Sequence, residues 1–213
     1  HGGVRNEDDL AYVFDAKPCR LGGDVNVDAM TVSCSDGSIR LVSAPDGHPI
    51  QSITGVGCGA HVTSTFTFGW YIFVCGGAGS IEVLDMRTWT RVAVVPDAHV
   101  GPVYGATKCE MKTESSGEGG ETLIASWSGD GSVKFWSLPV LLASSQEQEE
   151  AGRGAAIVQF RDRMYPIYNA AWDSEHSILA CAGGRDAPLA NPLLLLKLET
   201  GATSQDQRPN AAL

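Results

Sequence analysis

No run of apolar residues in this chain approaches the length needed to cross a bilayer as a helix, which takes about 20 residues. One such run, Pro192 to Leu196, reads as one buried strand. No secretory leader is visible, and the first residue is His1 rather than Met. The chain is therefore expected to be a fragment of something longer, with room for a targeting segment before it. Metal-ligand spacing is missing too. The six cysteines (Cys19, Cys34, Cys58, Cys75, Cys109 and Cys181) form no C-x-x-C pair, and the five histidines are scattered. No zinc site and no cofactor are expected. A disulfide framework does not suit a chain of this length. Cys34, Cys75, Cys109 and Cys181 fall inside apolar runs, where a thiol behaves as a small buried hydrophobe. That usage fits an intracellular protein, cytoplasmic or nuclear.

Positive charge is also scarce. Fifteen basic residues stand against 25 acidic ones, a formal net charge of −10. Nucleic acids reward clustered Lys and Arg, because each phosphate contact releases counterions. Direct nucleic-acid contact is therefore disfavoured; Arg153, Arg161 and Arg163 are the one close basic group and read as a solvated loop. Catalytic signatures are absent as well. There is no G-x-S-x-G elbow. The string Gly76-Gly77-Ala78-Gly79-Ser80 lacks the Lys and the following helix of a phosphate loop. Glu7, Asp8, Asp9, Asp24 and Asp28 do not match a calcium loop.

What the chain does have is glycine, 25 residues of it, much of it in short turns between apolar runs. That is the profile of an all-β protein. Three turns line up: Cys34-Ser35-Asp36-Gly37-Ser38-Ile39, Gly76-Gly77-Ala78-Gly79-Ser80-Ile81 and Ser128-Gly129-Asp130-Gly131-Ser132-Val133. An apolar run precedes each turn and an alternating strand follows it. Alternation puts Arg40, Glu82 and Lys134 at matching places, pointing away from their apolar neighbours. Gly37 and Gly79 are 42 residues apart, and Gly79 and Gly131 are 52 apart. Repeats of about 40–45 residues mark propeller blades. The polar stretch from Lys112 to Glu121 accounts for the longer spacing as an inserted loop, and a second insertion runs from Ala143 to Gly154. Further on, Tyr165-Pro166-Ile167-Tyr168-Asn169-Ala170 echoes Gly101-Pro102-Val103-Tyr104-Gly105-Ala106. Near the start, Gly2-Gly3, an acidic loop and Leu10 to Phe14 read as half a unit. The units fall at about 1–22, 23–55, 61–96, 97–160 and 163–204, four plus a partial one, with a polar tail over 202–213. Helix periodicity is weak, with one short helical turn conceivable over Leu138 to Ser145.

The unit from His99 to Trp136 resembles a WD40 repeat. The family pattern is a His in the loop leading into the unit, a Ser or Thr on the second strand, an Asp in the next turn and a Trp on the third strand. Here these are His99, Ser126, Asp130 and Trp136. The other units depart from it: Val42 and Leu84 stand where Trp136 does, Ala78 replaces the Asp, and Arg163 stands opposite His99. The resemblance covers the chain to about Gly201. It implies a WD40-like β-propeller of four-stranded antiparallel blades, incomplete in this chain, since seven blades need roughly 300 residues. It also implies that the His–Ser–Asp–Trp set is a structural hydrogen-bond network rather than a catalytic one.

For function, the resemblance implies a non-catalytic scaffold subunit whose partners are other protein subunits, with no membrane contact. Such propellers engage partners through the loops leading into each blade and the turns between second and third strands. Carried onto this chain, the candidate partner-binding residues are Val100, Pro102, Met164 and Pro166, with Ser35, Ala78 and Gly129. Two other readings stand behind it: a component of an RNA-containing assembly, and a hydrolase built on a propeller.

Overall fold

The computed structural model describes residues 11–21, 27–110, 122–143, 156–161, 165–184 and 193–198. Within them the chain folds into four antiparallel sheets, each built from consecutive strands. The first contains β1 (Val13–Leu21), β2 (Val27–Cys34), β3 (Ile39–Ser43) and β4 (Pro49–Ile53). The second contains β5 (Val62–Phe68), β6 (Tyr71–Gly76), β7 (Ile81–Asp85) and β8 (Thr90–Val95). The third contains β9 (Val103–Glu110), β10 (Thr122–Ser128), β11 (Ser132–Ser137) and β12 (Ala156–Arg161), with a short helix α1 (Leu138–Ala143) after β11. The fourth has three described strands, β13 (Ile167–Asp173), β14 (Ile178–Gly183) and β15 (Leu193–Lys197). β1 packs on β5, β5 on β9 and β9 on β13, so the sheets succeed one another through their first strands.

Strand alternation sends successive side chains to opposite faces, and in the middle sheets both faces are apolar. Three core clusters result, one between each pair of neighbours. Ala29, Ile39 and Leu41 of the first sheet meet Ile72, Val74 and Leu84 of the second. Phe73, Ile81 and Val83 from the other face of the second sheet meet Ala106, Ile124 and Trp136 of the third. Leu123, Ala125 and Phe135 meet Leu179, Cys181 and Leu196 of the fourth. Fully burying one such side chain is worth roughly 1.5–3 kcal/mol, so these inter-sheet stripes carry much of the stability. The short strand β7 is buried at every position, and Glu82 with it. Arg40, Glu82 and Lys134 do occupy matching registers, opposite Val32, Val74 and Ser126. Their surroundings differ: Arg40 is exposed, Lys134 is half-buried and Glu82 is fully buried.

The first sheet departs from the units read off the sequence. Its strands come from both 1–22 and 23–55, because β1 pairs with β2 from Val13 to Leu21. The early strand is therefore the first strand of a sheet, not the remnant of a separate unit. Pro18 is tolerated in it because β1 is an edge strand, where a missing N–H costs no ladder bond on the open side. The insertions at 112–121 and over most of 143–154, the Gly2-Gly3 segment and the polar tail lie outside the described residues, as do 163–164, 185–192 and 199–204 of the last unit.

One backbone position tests how packing and turn chemistry compete. In the first sheet, the turn after β3 places Gly47 at φ 70, and its N–H donates to Ser43 O. In the second sheet, the same turn places Trp89 at φ 57, with its N–H donating to Asp85 O. A left-handed conformation costs a residue with a Cβ about 1–2 kcal/mol. The Trp89 ring offsets that cost by packing, partly buried, on the cluster between the first and second sheets. Trp89→Ala removes the packing and keeps the strain, whereas Trp89→Gly removes both. Chemical denaturation should therefore rank the glycine variant above the alanine variant by about 1 kcal/mol, the reverse of their usual order. An alanine variant at least as stable as the glycine variant refutes this account.

Candidate functional site

The structure brings His99, Ser126, Asp130 and Trp136 together in the third sheet. Register sets the frame: Ser126 lies on β10 opposite Lys134, and Trp136 on β11 lies opposite Ile124. The incoming loop lowers His99 between the second and third sheets, where its N–H donates to Gly79 O at 2.9 Å. The His99 ring then spans two hydroxyls, with Nε2 at 2.8 Å from Ser126 Oγ and Nδ1 at 2.9 Å from Ser132 Oγ. Trp136 Nε1–H donates to Ser126 Oγ at 2.9 Å. Asp130 Oδ1 accepts from the Ser132 hydroxyl at 2.6 Å and from the Ser132 N–H at 2.9 Å. Asp130 Oδ2 accepts from the Val100 N–H at 2.9 Å and lies 3.4 Å from His99 Nδ1.

One assignment of protons satisfies every group. Trp136 donates to Ser126, the Ser126 hydroxyl donates to His99 Nε2, and the remaining Nδ1–H points at Asp130 and Ser132. His99 is then neutral with its proton on Nδ1. Burial holds its pKa below the ordinary histidine value, against the pull of Asp130. For Asp130, burial alone pushes the pKa up. The bonds from His99, Ser132 and Val100 outweigh it and hold the carboxyl well below the usual range. Ser126 is fully buried, and its oxygen is occupied by the indole N–H and the imidazole.

Ser132 is the member that motif matching overlooked. The signal was the Asp-Gly-Ser string, which recurs at Asp36-Gly37-Ser38, where the Ser38 N–H donates to Asp36 Oδ1 at 3.0 Å. The first sheet pairs that aspartate with Arg40 at 3.1 Å. The second sheet lacks the aspartate, having Ala78, and solves the same problem differently. Buried Glu82 accepts from the Cys58 N–H and lies 3.0 Å from Arg91 Nε, while Arg91 also donates to Gly55 O at 3.0 Å. In all three sheets a carboxylate ties a loop or a turn in place.

The described candidate contact residues lie on the face formed by the incoming loops and the turns between second and third strands. Val100 is 87% exposed. Pro102 and Pro166 are half-buried and occupy matching places: Pro102 O accepts from the Gly129 N–H at 2.9 Å, and Pro166 O from the Gly184 N–H at 3.1 Å. His61 O accepts from Gly77 at 2.9 Å, and Tyr12 O from Ser35 at 2.8 Å. His61 and Tyr12 are thus positional equivalents of the two prolines, and side-chain type hid them. Ala78 is exposed, Gly129 is half-buried, and Ser35 is tied to Tyr12 by a further bond, Tyr12 N–H to Ser35 Oγ at 2.8 Å. Met164 and Arg163 lie outside the described residues.

Rings that the motif search did not single out also sit on this face. Tyr104 and Tyr168 lie 5.3 Å apart, and Phe14 and His61 lie 5.1 Å apart. The turn glycines make room for them: a Cβ at Gly77 would stand 2.2 Å from the His61 ring, and one at Gly184 would stand 2.3 Å from the Tyr168 ring. Among the described residues, no group of three or more His, Cys, Asp or Glu side chains could hold a metal ion. No helix there is long and apolar enough to cross a membrane.

Successive four-stranded sheets joined through their first strands are matched among solved structures. The WD40 β-propeller domain of Doa1 superposes with a TM-score of 0.61 at 17% identity, over 86% of this chain and 49% of that one. The computationally designed protein Ika8 superposes with a TM-score of 0.51 at 17% identity, over 77% of this chain and 42% of that one. The fold is that of a WD40 β-propeller. The chain spans less than half the length of either structure. No family model and no curated protein matches it in sequence. In propeller terms each sheet is a blade, and the polar network is complete in the third blade alone among the described residues.

The network makes the third blade sensitive to acid. His99 and Asp130 both have lowered pKa values in the fold, so the unfolded chain binds more protons and stability falls as pH falls. The His99 contribution is lost below its unfolded value of about 6.5, and the Asp130 contribution below about 4. Asp130→Ala should cost about 1–3 kcal/mol at neutral pH, because it strands the Ser132 and Val100 donors. His99→Asn should flatten the decline between neutral and mildly acidic pH. Urea titrations across pH check both; a His99→Asn variant with the wild-type pH slope refutes the assignment.

Proposed function

We propose that this chain is a non-catalytic interaction scaffold, a propeller subunit that recruits other proteins through its loop face. The observation that carries the reading is Val100. Its side chain is 87% exposed, yet its backbone is pinned by the bond to Asp130. An exposed apolar residue whose backbone is already tied down is partly pre-organised, because less backbone entropy remains to be lost when a partner covers it. Pro102, Tyr104, Tyr168 and Pro166 extend the same surface. Val100, Pro102, Pro166, Ser35, Ala78 and Gly129 are the proposed contacts.

The acidic balance favours protein partners over direct contact with nucleic acid. The occupied, buried Ser126 favours a framework role for the His–Ser–Asp set over hydrolysis. The cysteines are free, five of them buried, and that usage suits a reducing, intracellular compartment.

The test is affinity capture with a Pro102→Glu/Pro166→Glu double variant as control. Both side chains are half-buried at the surface, so the variant should unfold at the wild-type temperature and lose at least tenfold of the co-purifying subunits. Retention of the same subunits at wild-type levels would sink the loop-face assignment.

A further inference from the structure

The loops leading into the second and third blades meet the same kind of serine in different company. Ser80 and Ser132 each stand one residue before the first buried apolar residue of the third strand, Ile81 and Val133. Ser132 is met by His99 and Asp130. Ser80 has Ala78 where that aspartate would be, and Cys58 comes to it from the incoming loop. A Cβ at Gly76 would stand 2.2 Å from Ser80 Oγ and 3.1 Å from Gly57 O, so the serine hydroxyl lies close beneath the turn at Gly57–Gly59. Gly57, Cys58 and Gly59 have φ of 72, 52 and 82. That left-handed run turns the Cys58 N–H inward to Glu82 Oε1.

Two polar atoms are left over at this place. Ser80 Oγ is fully buried and has no partner in full hydrogen-bonding geometry; the group it faces is the Cys58 thiol. Glu82 is fully buried too. Arg91 Nε lies 3.0 Å from its Oε2 as a counter-charge, but no donor is aligned on that oxygen. A hydroxyl needs an acceptor and a carboxylate needs a donor, and one oxygen carrying one hydrogen supplies both. Cys58 is the exposed member of the six free cysteines, the other five being buried. One step of oxidation at its sulfur puts such an oxygen between Ser80 and Glu82.

We infer that Cys58 is a modification site, oxidised by hydroperoxides to a sulfenic acid that Ser80 and Glu82 hold. The sulfur attacks one peroxide oxygen; an S–O bond forms and the O–O bond breaks. The departing hydroxide takes up the thiol's proton and leaves as water, so sulfur is oxidised by two electrons and peroxide is reduced. The Ser80 hydroxyl then donates to the new oxygen, and the new O–H donates to Glu82 Oε2. Burial raises the thiol's pKa and the Glu82 charge adds to that, against the pull of Ser80 and Arg91. Reaction is therefore slow at neutral pH and quickens as pH rises, since the thiolate is the attacking form. The product lasts, because no second cysteine is exposed to condense with it. No partner protein is needed for this chemistry, so it is independent of the scaffold role.

Hydrogen peroxide treatment of the native chain, followed by trapping with dimedone and peptide mass spectrometry, checks the assignment. Dimedone should mark Cys58 and none of the five buried cysteines, and Cys58→Ser should abolish the mark. With dimedone added at increasing delays after peroxide is removed, Ser80→Ala should shorten the survival of the sulfenic acid about fivefold, which is what one net hydrogen bond is worth. Ser80→Gly takes its place if that variant misfolds. A native chain that gives no adduct at Cys58 overturns the proposal, as does marking of a buried cysteine in preference to Cys58. Equal survival in wild type and the Ser80 variant also overturns it, since the sulfenic acid is then formed at an exposed thiol without being held.

Discussion

A sheet with apolar side chains on both faces is stable only when each face is covered, and the middle blades of this chain are of that kind. Ile72 and Val74 point one way from β6, while Phe73 and Cys75 point the other way, and all four are fully buried. Such a blade has no solvent side. Leaving one of its faces in water forfeits the burial of several large side chains, each worth roughly 1.5–3 kcal/mol, which is most of what a domain has in hand. Stacking blade on blade is the arrangement that covers both faces at once. Order along the chain then follows, since consecutive strands build each blade and the first strands of successive blades pack on one another.

Apolar stripes fix which faces meet but leave the loops between blades free to wander, and buried polar groups hold them in place. The third blade does this with His99, Asp130, Ser126, Ser132 and Trp136, where every donor finds an acceptor. The first blade reduces the device to Asp36, Ser38 and Arg40. The second inverts it, burying the carboxylate on the strand at Glu82 and bringing the Cys58 N–H and Arg91 to it. A buried carboxylate without such partners is costly. Glu82 meets that demand with the Cys58 N–H and Arg91.

How much of this was legible in the sequence depended on how local each signal was. The three glycine turns and their flanking strands were readable because turn chemistry acts over four residues. His99, Ser126, Asp130 and Trp136 were readable because their residue types and spacing are all distinctive. The place of β1 was not: its pairing with β2 is local, Leu21 opposite Val27, but Pro18 disguises it as a poor strand. The burial of Glu82 was hidden because alternation alone assigns a charged residue to a polar face, and only the neighbouring blade shows that no such face exists. Tyr12 and His61 escaped because what they share with Pro102 and Pro166 is a carbonyl bond to a turn, which no side chain reports.

The division between buried and exposed residues on the loop face has a consequence for how this protein can change. Asp130 sets the position of Val100 through its backbone N–H, not through its side chain. The Gly129 N–H likewise meets the carbonyl of Pro102, and Gly184 meets that of Pro166. At Val100, Pro102 and Pro166 these bonds engage main-chain atoms, so their side chains can vary without breaking them. On the proposed reading, substitutions at Val100, Pro102 or Pro166 would alter contacts at little cost to folding. Substitutions at Asp130 or His99 alter folding and move every contact at once. In the proposed scaffold role, that separation would let a contact surface diversify while the blades beneath it remain the same.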